Sequence, residues 1–128
     1  MIVDSSAVLA VILREPDHEA VLDKLVAAGA IGIGAPTLAE TSIVLAARLP
    51  GDPRTLLGRL IQVLSMEVVP FTEAHWSVAL DAYQRFGKGR HRAGLNFGDC
   101  LAYATARLAR QPLLCCGDDF GKTDIALA

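Results

Sequence analysis

The chain has 128 residues, a length that fits one domain and leaves no room for a second of ordinary size. Apolar residues make up 52% of the chain and aromatic residues only 5%, so the core must consist mainly of aliphatic side chains, as where helices pack on a buried parallel sheet. With 12 basic and 14 acidic residues the net charge is −2, which by itself neither demands nor excludes a nucleic acid partner.

Short β-rich runs alternate with helical ones along the chain. Strands are predicted at residues 2–3, 31–34, 68–69 and 113–116, with a last short edge strand at 123–126. Six helices are predicted between them, and four have a polar residue placed to cap them: Asp17, Asp52, Thr72 and Asn96. This alternation predicts an α/β fold with a mainly parallel central sheet of four to five strands, flanked by helices and joined by right-handed crossovers.

The N-terminal residues, the apolar stretches and the cysteines indicate the cellular compartment of the protein. Met1 runs directly into Ile2-Val3-Asp4 without a basic region, so no signal peptide is visible. The longest apolar stretch, residues 7–13, is too short to span a bilayer. Three cysteines cannot all pair within one chain, and Cys115-Cys116 falls in a predicted buried strand. We expect free, inert thiols in a cytoplasmic protein that has no contact with membranes.

Acidic residues follow the predicted strands at several separate places. In open parallel sheets, sites lie at the carboxyl ends of the strands. Asp4 comes directly after the first strand, and Glu40 and Asp99 begin helices. Asp118 and Asp119 follow the strand at residues 113–116. These carboxylates would repel one another unless a divalent cation lay between them, and oxygen donors suit magnesium or manganese rather than zinc.

Each acid also has a structural interpretation. Asp4 can cap the first helix, and Thr37-Leu38-Ala39-Glu40 matches a capping box. Asn96 and Asp99 have the same spacing, while Asp118-Asp119 can be plain turn residues. The common position of the acids at one edge of the sheet is what favours a site. Capping and metal binding are also compatible for one side chain.

Four segments together resemble a known family, in order and spacing, and the resemblance covers the whole chain. The segments are Met1-Ile2-Val3-Asp4-Ser5-Ser6-Ala7, Ala35-Pro36-Thr37-Leu38-Ala39-Glu40, Leu95-Asn96-Phe97-Gly98-Asp99-Cys100-Leu101-Ala102-Tyr103-Ala104, and Gly117-Asp118-Asp119-Phe120 with Thr123-Asp124-Ile125. They resemble the PIN-domain ribonuclease toxins of the VapC family. The resemblance implies one PIN domain over residues 1–128, with a flavodoxin-like three-layer fold.

The family resemblance also implies an activity. It implies a Mg²⁺-dependent endoribonuclease, with Mn²⁺ as a substitute, that cleaves cellular RNA (tRNA, rRNA or mRNA) by metal-activated water and acts as the toxin of a toxin–antitoxin pair. The expected products carry a 5′-phosphate and a 3′-hydroxyl. A VapB-type antitoxin would neutralise it, with a homodimer as the free form and a heterotetramer or larger assembly with the antitoxin.

Carried over by position, Asp4, Glu40 and Asp99 are the core catalytic acids. The fourth is Asp118 or Asp119; Asp118 is favoured because it comes first after the strand. Asp4, Asp99 and Asp118 are then expected to hold the metal, while Glu40 positions water or acts as a base. Ser6 lies where the family often has a small hydroxyl residue, and either positions a metal-bound water or simply begins the helix.

A cationic loop precedes Asp99. Lys88, Arg90, His91 and Arg92 lie in it, and they are candidates for binding RNA phosphates without base specificity. The alternative is an ordinary solvated loop. Trp76 and Tyr83 fit the apolar face of the fifth helix and are predicted to be core residues rather than platforms for base stacking.

The partner prediction depends on spare apolar surface. Residues 22–25 and 45–49 are expected to leave an apolar face exposed for the antitoxin, because such faces commonly mark interfaces.

Two rival functions fit less well. A phosphotransfer receiver domain needs an aspartate at the end of a central strand, but the strand at residues 68–69 ends in Pro70-Phe71-Thr72. A PIN-like domain that only binds RNA remains a hypothesis, although all four acidic positions are filled.

Overall fold

Three of the four strands contain the β-branched residues that favour strands, and the fourth consists of two buried leucines. The computed structural model describes all 128 residues. Its strands are β1 (Ile2–Val3), β2 (Gly32–Gly34), β3 (Glu67–Val69) and β4 (Leu113–Leu114). Its helices are α1 (Ser5–Leu13), α2 (His18–Ala27), α3 (Ala35–Arg48), α4 (Pro53–Val63), α5 (Glu73–Phe86) and α6 (Phe97–Ala109), and a short 3-10 helix follows at Phe120–Lys122.

All strand pairs are parallel, in the order β3-β2-β1-β4, which confirms the predicted parallel α/β fold. Neighbouring residues of one strand point to opposite faces. On β1, Ile2 packs in one core cluster, with α5 and α6, and Val3 in the other, with α1 to α4. The sheet is therefore the middle layer of three. None of the helices combines the length and the hydrophobicity that a membrane span requires.

Close contact between α6 and the sheet depends on a missing side chain. A Cβ on Gly34 would lie 2.9 Å from Thr105 Oγ1, so any larger residue on this strand would push α6 outward. Because α6 carries Asp99 in its first turn, the small strand residue brings that turn close to the ends of β1 and β2.

Two predicted strand segments differ from the structure. The expected edge strand at residues 123–126 is wrong: the 3-10 helix precedes this segment, and only an isolated bridge pairs Leu127 with Leu113. Asp124 instead accepts hydrogen bonds from Tyr103 and Arg85, and this side-chain network holds the segment in place of a backbone ladder. β4 ends at Leu114, so the expected buried strand does not extend to the two half-buried cysteines that follow.

The prediction that Trp76 and Tyr83 are core residues is wrong. The buried face of α5 is displaced by about one residue and consists of His75, Ala79, Ala82 and Phe86. The two alanines let α5 pack closely on α6, and the larger side chains are pushed outward. Trp76 is 64% exposed and Tyr83 41% exposed.

The predicted apolar face for a partner is also partly wrong. Leu25 and Leu45 are almost fully buried in the core. The apolar side chains that α2 and α3 do expose are Val26 and Ile43, each 70% exposed. The apolar residues of α2 and α3 thus lie partly in the core and partly on the surface.

Candidate active site

Asp4 is buried at the carboxyl end of β1, where it caps α1. Its Oδ2 accepts hydrogen bonds from the backbone N–H of Ser6 at 3.0 Å and from the Ser6 hydroxyl at 2.6 Å. Ser6 Oγ in turn accepts from the N–H of Cys116 at 3.0 Å, which ties the ends of β1 and β4 together. Asp4 Oδ1 has no hydrogen-bond partner in the protein and is available to a ligand.

Glu40 lies on α3, the helix that follows β2, and it does not cap that helix. The predicted capping box is wrong because α3 begins earlier, at Ala35, with Gly34 as its N-cap. Thr37 therefore lies inside the first turn, where its buried hydroxyl makes no hydrogen bond. Glu40 Oε1 instead accepts a hydrogen bond of 2.8 Å from the Ser5 hydroxyl, and Oε2 has no hydrogen-bond partner.

Asp99 does form the predicted capping arrangement at the start of α6. Its Oδ2 accepts from the Asn96 backbone N–H at 2.9 Å, and Asn96 Oδ1 accepts from the Asp99 N–H at the same distance. Asp99 Oδ1 is left without a partner. Asp4, Glu40 and Asp99 thus share one pattern, in which one carboxylate oxygen is fixed by the protein and the other is free.

The surroundings of Asp99 raise the pKa of its carboxyl group. Burial is the largest cause that raises the pKa of its carboxyl group, to about 6. The hydrogen bond from Asn96 opposes this rise. The negative charges of three other acids add to it: Asp4, Asp119 and Glu40. Like charges that raise one another's pKa need a counter-ion to be ionised together.

Of the two candidates for the fourth acid, only Asp119 is among the carboxylates that act on Asp99. Both aspartates are exposed and follow Gly117, whose φ of +87° turns the chain after β4. Asp119 Oδ1 lies 3.7 Å from Lys122 Nζ. Asp119 is therefore the candidate whose charge contributes to the raised pKa of Asp99, and neither aspartate makes a hydrogen bond to Asp4, Glu40 or Asp99.

Two residues of the cluster are absent from the sequence-based predictions. Ser5 orients Glu40, although only the neighbouring Ser6 stood out. Gly98 lies against Glu40, and a Cβ at this position would overlap Glu40 Oε2. A glycine in the first turn of a helix, where it is unfavourable, was the available signal.

The donor set fits a hard divalent cation. All the free donor atoms are carboxylate oxygens, and the charges of the other acids add to the burial that raises the pKa of Asp99. In this structure no three acidic, histidine or cysteine side chains are gathered closely enough to hold an ion. Cys115 stands beside the cluster, and burial raises the pKa of its thiol to about 11, so it stays protonated.

The cationic loop leads into α6, whose first turn carries Asp99. Lys88, Arg90 and Arg92 are exposed and form no ion pair. His91 differs, because its Nδ1 accepts from the Ala93 N–H at 3.0 Å and its ring packs edge-on against Phe86. His91 therefore holds the loop together, and the three unpaired cations remain available to an anion.

Comparison with known proteins identifies the family. The family model for the PIN domain matches residues 1–126. The chain is 49% identical over 130 aligned residues to "Ribonuclease VapC36" of Mycobacterium tuberculosis, covering 98% of this chain and 91% of that protein.

Two solved structures share the fold. The crystal structure of Mycobacterium tuberculosis VapC20, titled a "Sarcin-Ricin loop cleaving toxin", has a TM-score of 0.77 at 17% identity, covering 99% of this chain and 97% of that one. A "Toxin-antitoxin complex from Klebsiella pneumoniae" has a TM-score of 0.71 at 15% identity, covering 99% and 95%. The family match, the curated relative and the sheet-edge acids agree: this chain belongs to the PIN-domain family and, within it, to the VapC ribonucleases.

Proposed function

We propose that this VapC-type ribonuclease hydrolyses RNA phosphodiesters at the acidic cluster formed by Asp4, Glu40, Asp99 and Asp119. The observation that carries the proposal is the pattern of free oxygens at the carboxyl edge of the sheet. Asp4, Glu40 and Asp99 each present one unpaired oxygen there, and a second oxygen of each is held by the protein. Carboxylates that are each held by one oxygen keep the other oxygen available as a ligand for a cation.

The acids have different roles in this proposal. Asp4 and Asp99 are the principal cation ligands, since both are anchored at helix N-termini and face the same edge. Asp119 completes the set in preference to Asp118. Glu40 positions the attacking water through its free Oε2, because Ser5 and Gly98 fix the direction in which that oxygen points.

Ser6 has a different role from the one expected of it. Its hydroxyl donates to Asp4 and accepts from Cys116, so both of its hydrogen bonds are used within the protein. We assign it to holding Asp4 in place rather than to positioning water. At other metal sites, mutation of such a supporting partner typically lowers metal affinity or activity by about tenfold to a hundredfold.

Mg²⁺ is the proposed cation, with Mn²⁺ as a substitute. When bound, such an ion activates water and stabilises negative charge on a phosphoryl oxygen. The unpaired cations of the loop, Lys88, Arg90 and Arg92, hold the RNA backbone next to the acids. Their charge offsets the repulsion between the acidic cluster and an approaching phosphate.

We further propose that the chain works in the cytoplasm as the toxin of a toxin–antitoxin pair with a VapB-type antitoxin. The likeness to a toxin–antitoxin complex supports such a partner, and exposed Val26 and Ile43 provide apolar surface for it. A homodimer is the proposed free form, and a heterotetramer or larger assembly the inhibited one. Size measurement with and without the co-expressed antitoxin tests this; a free chain that stays monomeric and binds no neighbouring-gene antitoxin would contradict it.

The first experiment is cleavage of total cellular RNA by antitoxin-free protein, with magnesium or with EDTA, followed by sequencing of the fragment ends. Wild type is compared with Asp99→Asn, which removes one charge and keeps the hydrogen bond to Asn96. We expect discrete cuts with 5′-phosphate ends from the wild type only, and only with metal. A folded wild type that binds RNA but cuts nothing would replace the proposal with a binding function.

A further inference from the structure

Asp124 binds three side chains that come from two helices. Its Oδ1 accepts a hydrogen bond of 2.7 Å from the Tyr103 hydroxyl. Its Oδ2 accepts from the guanidinium groups of Arg85 at 2.9 Å and Arg107 at 3.4 Å. The three acids that carry the proposed function each keep one oxygen free, whereas both oxygens of Asp124 are occupied. Asp124 is therefore not placed to be a cation ligand itself.

The main partner of Asp124 lies on the helix that carries Asp99. On α6, Asp99, Tyr103 and Arg107 follow one another at intervals of four residues, so they lie along one side of the helix. Tyr103 is 2% exposed, and its ring packs near that of Phe86 in the core. A hydrogen bond from this buried ring holds Asp124 more firmly than ion pairs between partly exposed side chains, which contribute little each.

Residues 117–123, which carry Asp119, depend on side chains for their position. We call them the Asp119 segment. Its backbone hydrogen bonds are internal, from the Lys122 N–H to Asp119 O and from the Thr123 N–H to Phe120 O. Phe120 is the only buried residue of the segment. The segment thus forms a tight turn of its own, and no backbone ladder joins it to the sheet.

Contacts on either side of the Asp119 segment hold it against the protein. Before it, the Cys116 N–H donates to the Ser6 hydroxyl at 3.0 Å. After it, Asp124 is the first residue that forms hydrogen bonds with other helices. Without these bonds the exposed turn would be freer to move, because its backbone makes no hydrogen bond to the rest of the chain. Asp119 would then lose a defined position relative to Asp99.

We propose that Asp124 is a positioning residue for the fourth acid, because its bonds to Tyr103 and the two arginines fix the segment that carries Asp119 against the helix that carries Asp99. The inference rests on the proposed function, since it concerns the same cation site. Asp124 itself touches neither the cation nor the RNA. Loss of its side chain is therefore expected to lower cation affinity through Asp119 and to leave the hydrogen bonds of the other acids intact.

Calorimetric titration with Mn²⁺ tests the proposal without relying on turnover. Asp124→Ala is expected to bind Mn²⁺ about tenfold more weakly than the wild type, the scale for a lost supporting partner of a metal ligand. Tyr103→Phe removes only the hydroxyl that binds Asp124 and keeps the packed ring. It should show a smaller loss in the same direction, and it serves as the test if Asp124→Ala does not fold.

Asp52→Ala is the matched control. Asp52 also pairs with an arginine, Arg54, at 2.9 Å, but it does so at the start of α4 and forms its hydrogen bonds with Arg54 alone. This variant loses an exposed aspartate and an ion pair, as Asp124→Ala does. Its Mn²⁺ affinity should equal that of the wild type.

A double-mutant cycle distinguishes positioning of Asp119 from a general loss of stability. If Asp124 acts through Asp119, the double variant Asp119→Asn with Asp124→Ala binds Mn²⁺ no more weakly than Asp119→Asn alone. If the two substitutions act independently, their effects multiply, and two losses of about tenfold give about a hundredfold. We expect the first result.

Three results would overturn the inference. The first is wild-type Mn²⁺ affinity in both Asp124→Ala and Tyr103→Phe, and the second is multiplied effects in the double variant. The third is an equal loss of affinity in Asp52→Ala. With any of these, a wild type that cuts RNA leaves the proposed function standing. A wild type that cuts no RNA, in a series that shows the expected Mn²⁺ affinities, would instead keep the inference and refute the nuclease.

Discussion

The Ser5 hydroxyl donates a hydrogen bond of 2.8 Å to Glu40 Oε1, joining two residues 35 positions apart in the sequence. Ser5 is buried in the first turn of α1, directly after Asp4, and Glu40 lies on α3. The bond therefore couples two of the acidic positions through adjacent residues of one turn. It leaves Glu40 Oε2 as the oxygen that faces the site.

Ser5→Ala is expected to lower the rate of RNA cleavage about tenfold, because a hydrogen bond to a charged group contributes roughly 1.5–3 kcal/mol. Glu40 would then sample several orientations, so kcat should fall more than KM rises. Ser5→Thr, which retains the hydroxyl, should recover most of the rate. Steady-state kinetics on a fluorogenic RNA measures all three proteins.

Ser42→Ala is the control for the Ser5 substitution. Ser42 lies on α3, the helix that carries Glu40, and its hydroxyl donates a hydrogen bond only to the Ala39 carbonyl of the same helix. Cleavage by this variant should match the wild type. If Ser5→Ala cleaved RNA as fast as Ser42→Ala, the result would show that Glu40 needs no support from Ser5.

Gly98→Ala is expected to reduce cleavage by one to two orders of magnitude, since an added Cβ would overlap Glu40 Oε2 and displace it. A misplacement of about 1 Å in a catalytic group can cost about a hundredfold in rate. Thermal unfolding should change little, because the displaced carboxylate is partly exposed. Gly58→Ala, in open space on α4, is the control; it should cut normally and be slightly more stable. Equal activity of the two variants would contradict the tight packing of Glu40.

The sequence predicted the parallel sheet and the family well, because both depend on local patterns. Strand–helix alternation determines the sheet type, and the family segments lie in contiguous runs. The buried face of α5 was predicted wrongly, because it is determined by packing against α6 and not by the sequence of α5 alone. The face carrying Trp76 has ideal helical spacing, but Ala79 and Ala82 allow α6 to come close, and this decides which face is covered.

The acidic positions were predicted from their place after the strands, whereas the contacts that orient them were not. The partner of Glu40 is distant in sequence, so no spacing rule connects it to Ser5. The Thr37 capping box failed because α3 begins three residues earlier than the motif suggests. The choice between Asp118 and Asp119 depends on the turn at Gly117, which strand counting does not define.

Asp119→Asn is expected to weaken Mn²⁺ binding and RNA cleavage at least about tenfold, whereas Asp118→Asn should change both little. The reason is that the charge of Asp119 is among those that raise the pKa of Asp99. Calorimetric titration of each variant with Mn²⁺ measures affinity without relying on turnover. Both variants remove one exposed charge, so each controls for the other. The reverse ranking would make Asp118 the fourth acid.

Asp99→Asn is expected to stabilise the metal-free protein at pH 7.5, although it abolishes cleavage. The pKa of Asp99 is raised to about 6 in the fold, mainly by burial. The folded state therefore binds this proton more tightly than the unfolded chain, so stability is greatest below pH 4 and is lost as pH rises through 6. With partial exposure taken into account, the gain for the variant is about 1 kcal/mol, or about 4 °C in Tm, and it should vanish near pH 4.

Calorimetry in EDTA between pH 4 and pH 7.5 tests this prediction, with Asp23→Asn, an exposed site on α2, as the control. Adding Mg²⁺ should raise the Tm of the wild type and not that of Asp99→Asn, because only the wild type retains the full set of anionic ligands. If the variant were less stable than the wild type in EDTA at pH 7.5, the Asp99 charge would already be balanced without a metal ion.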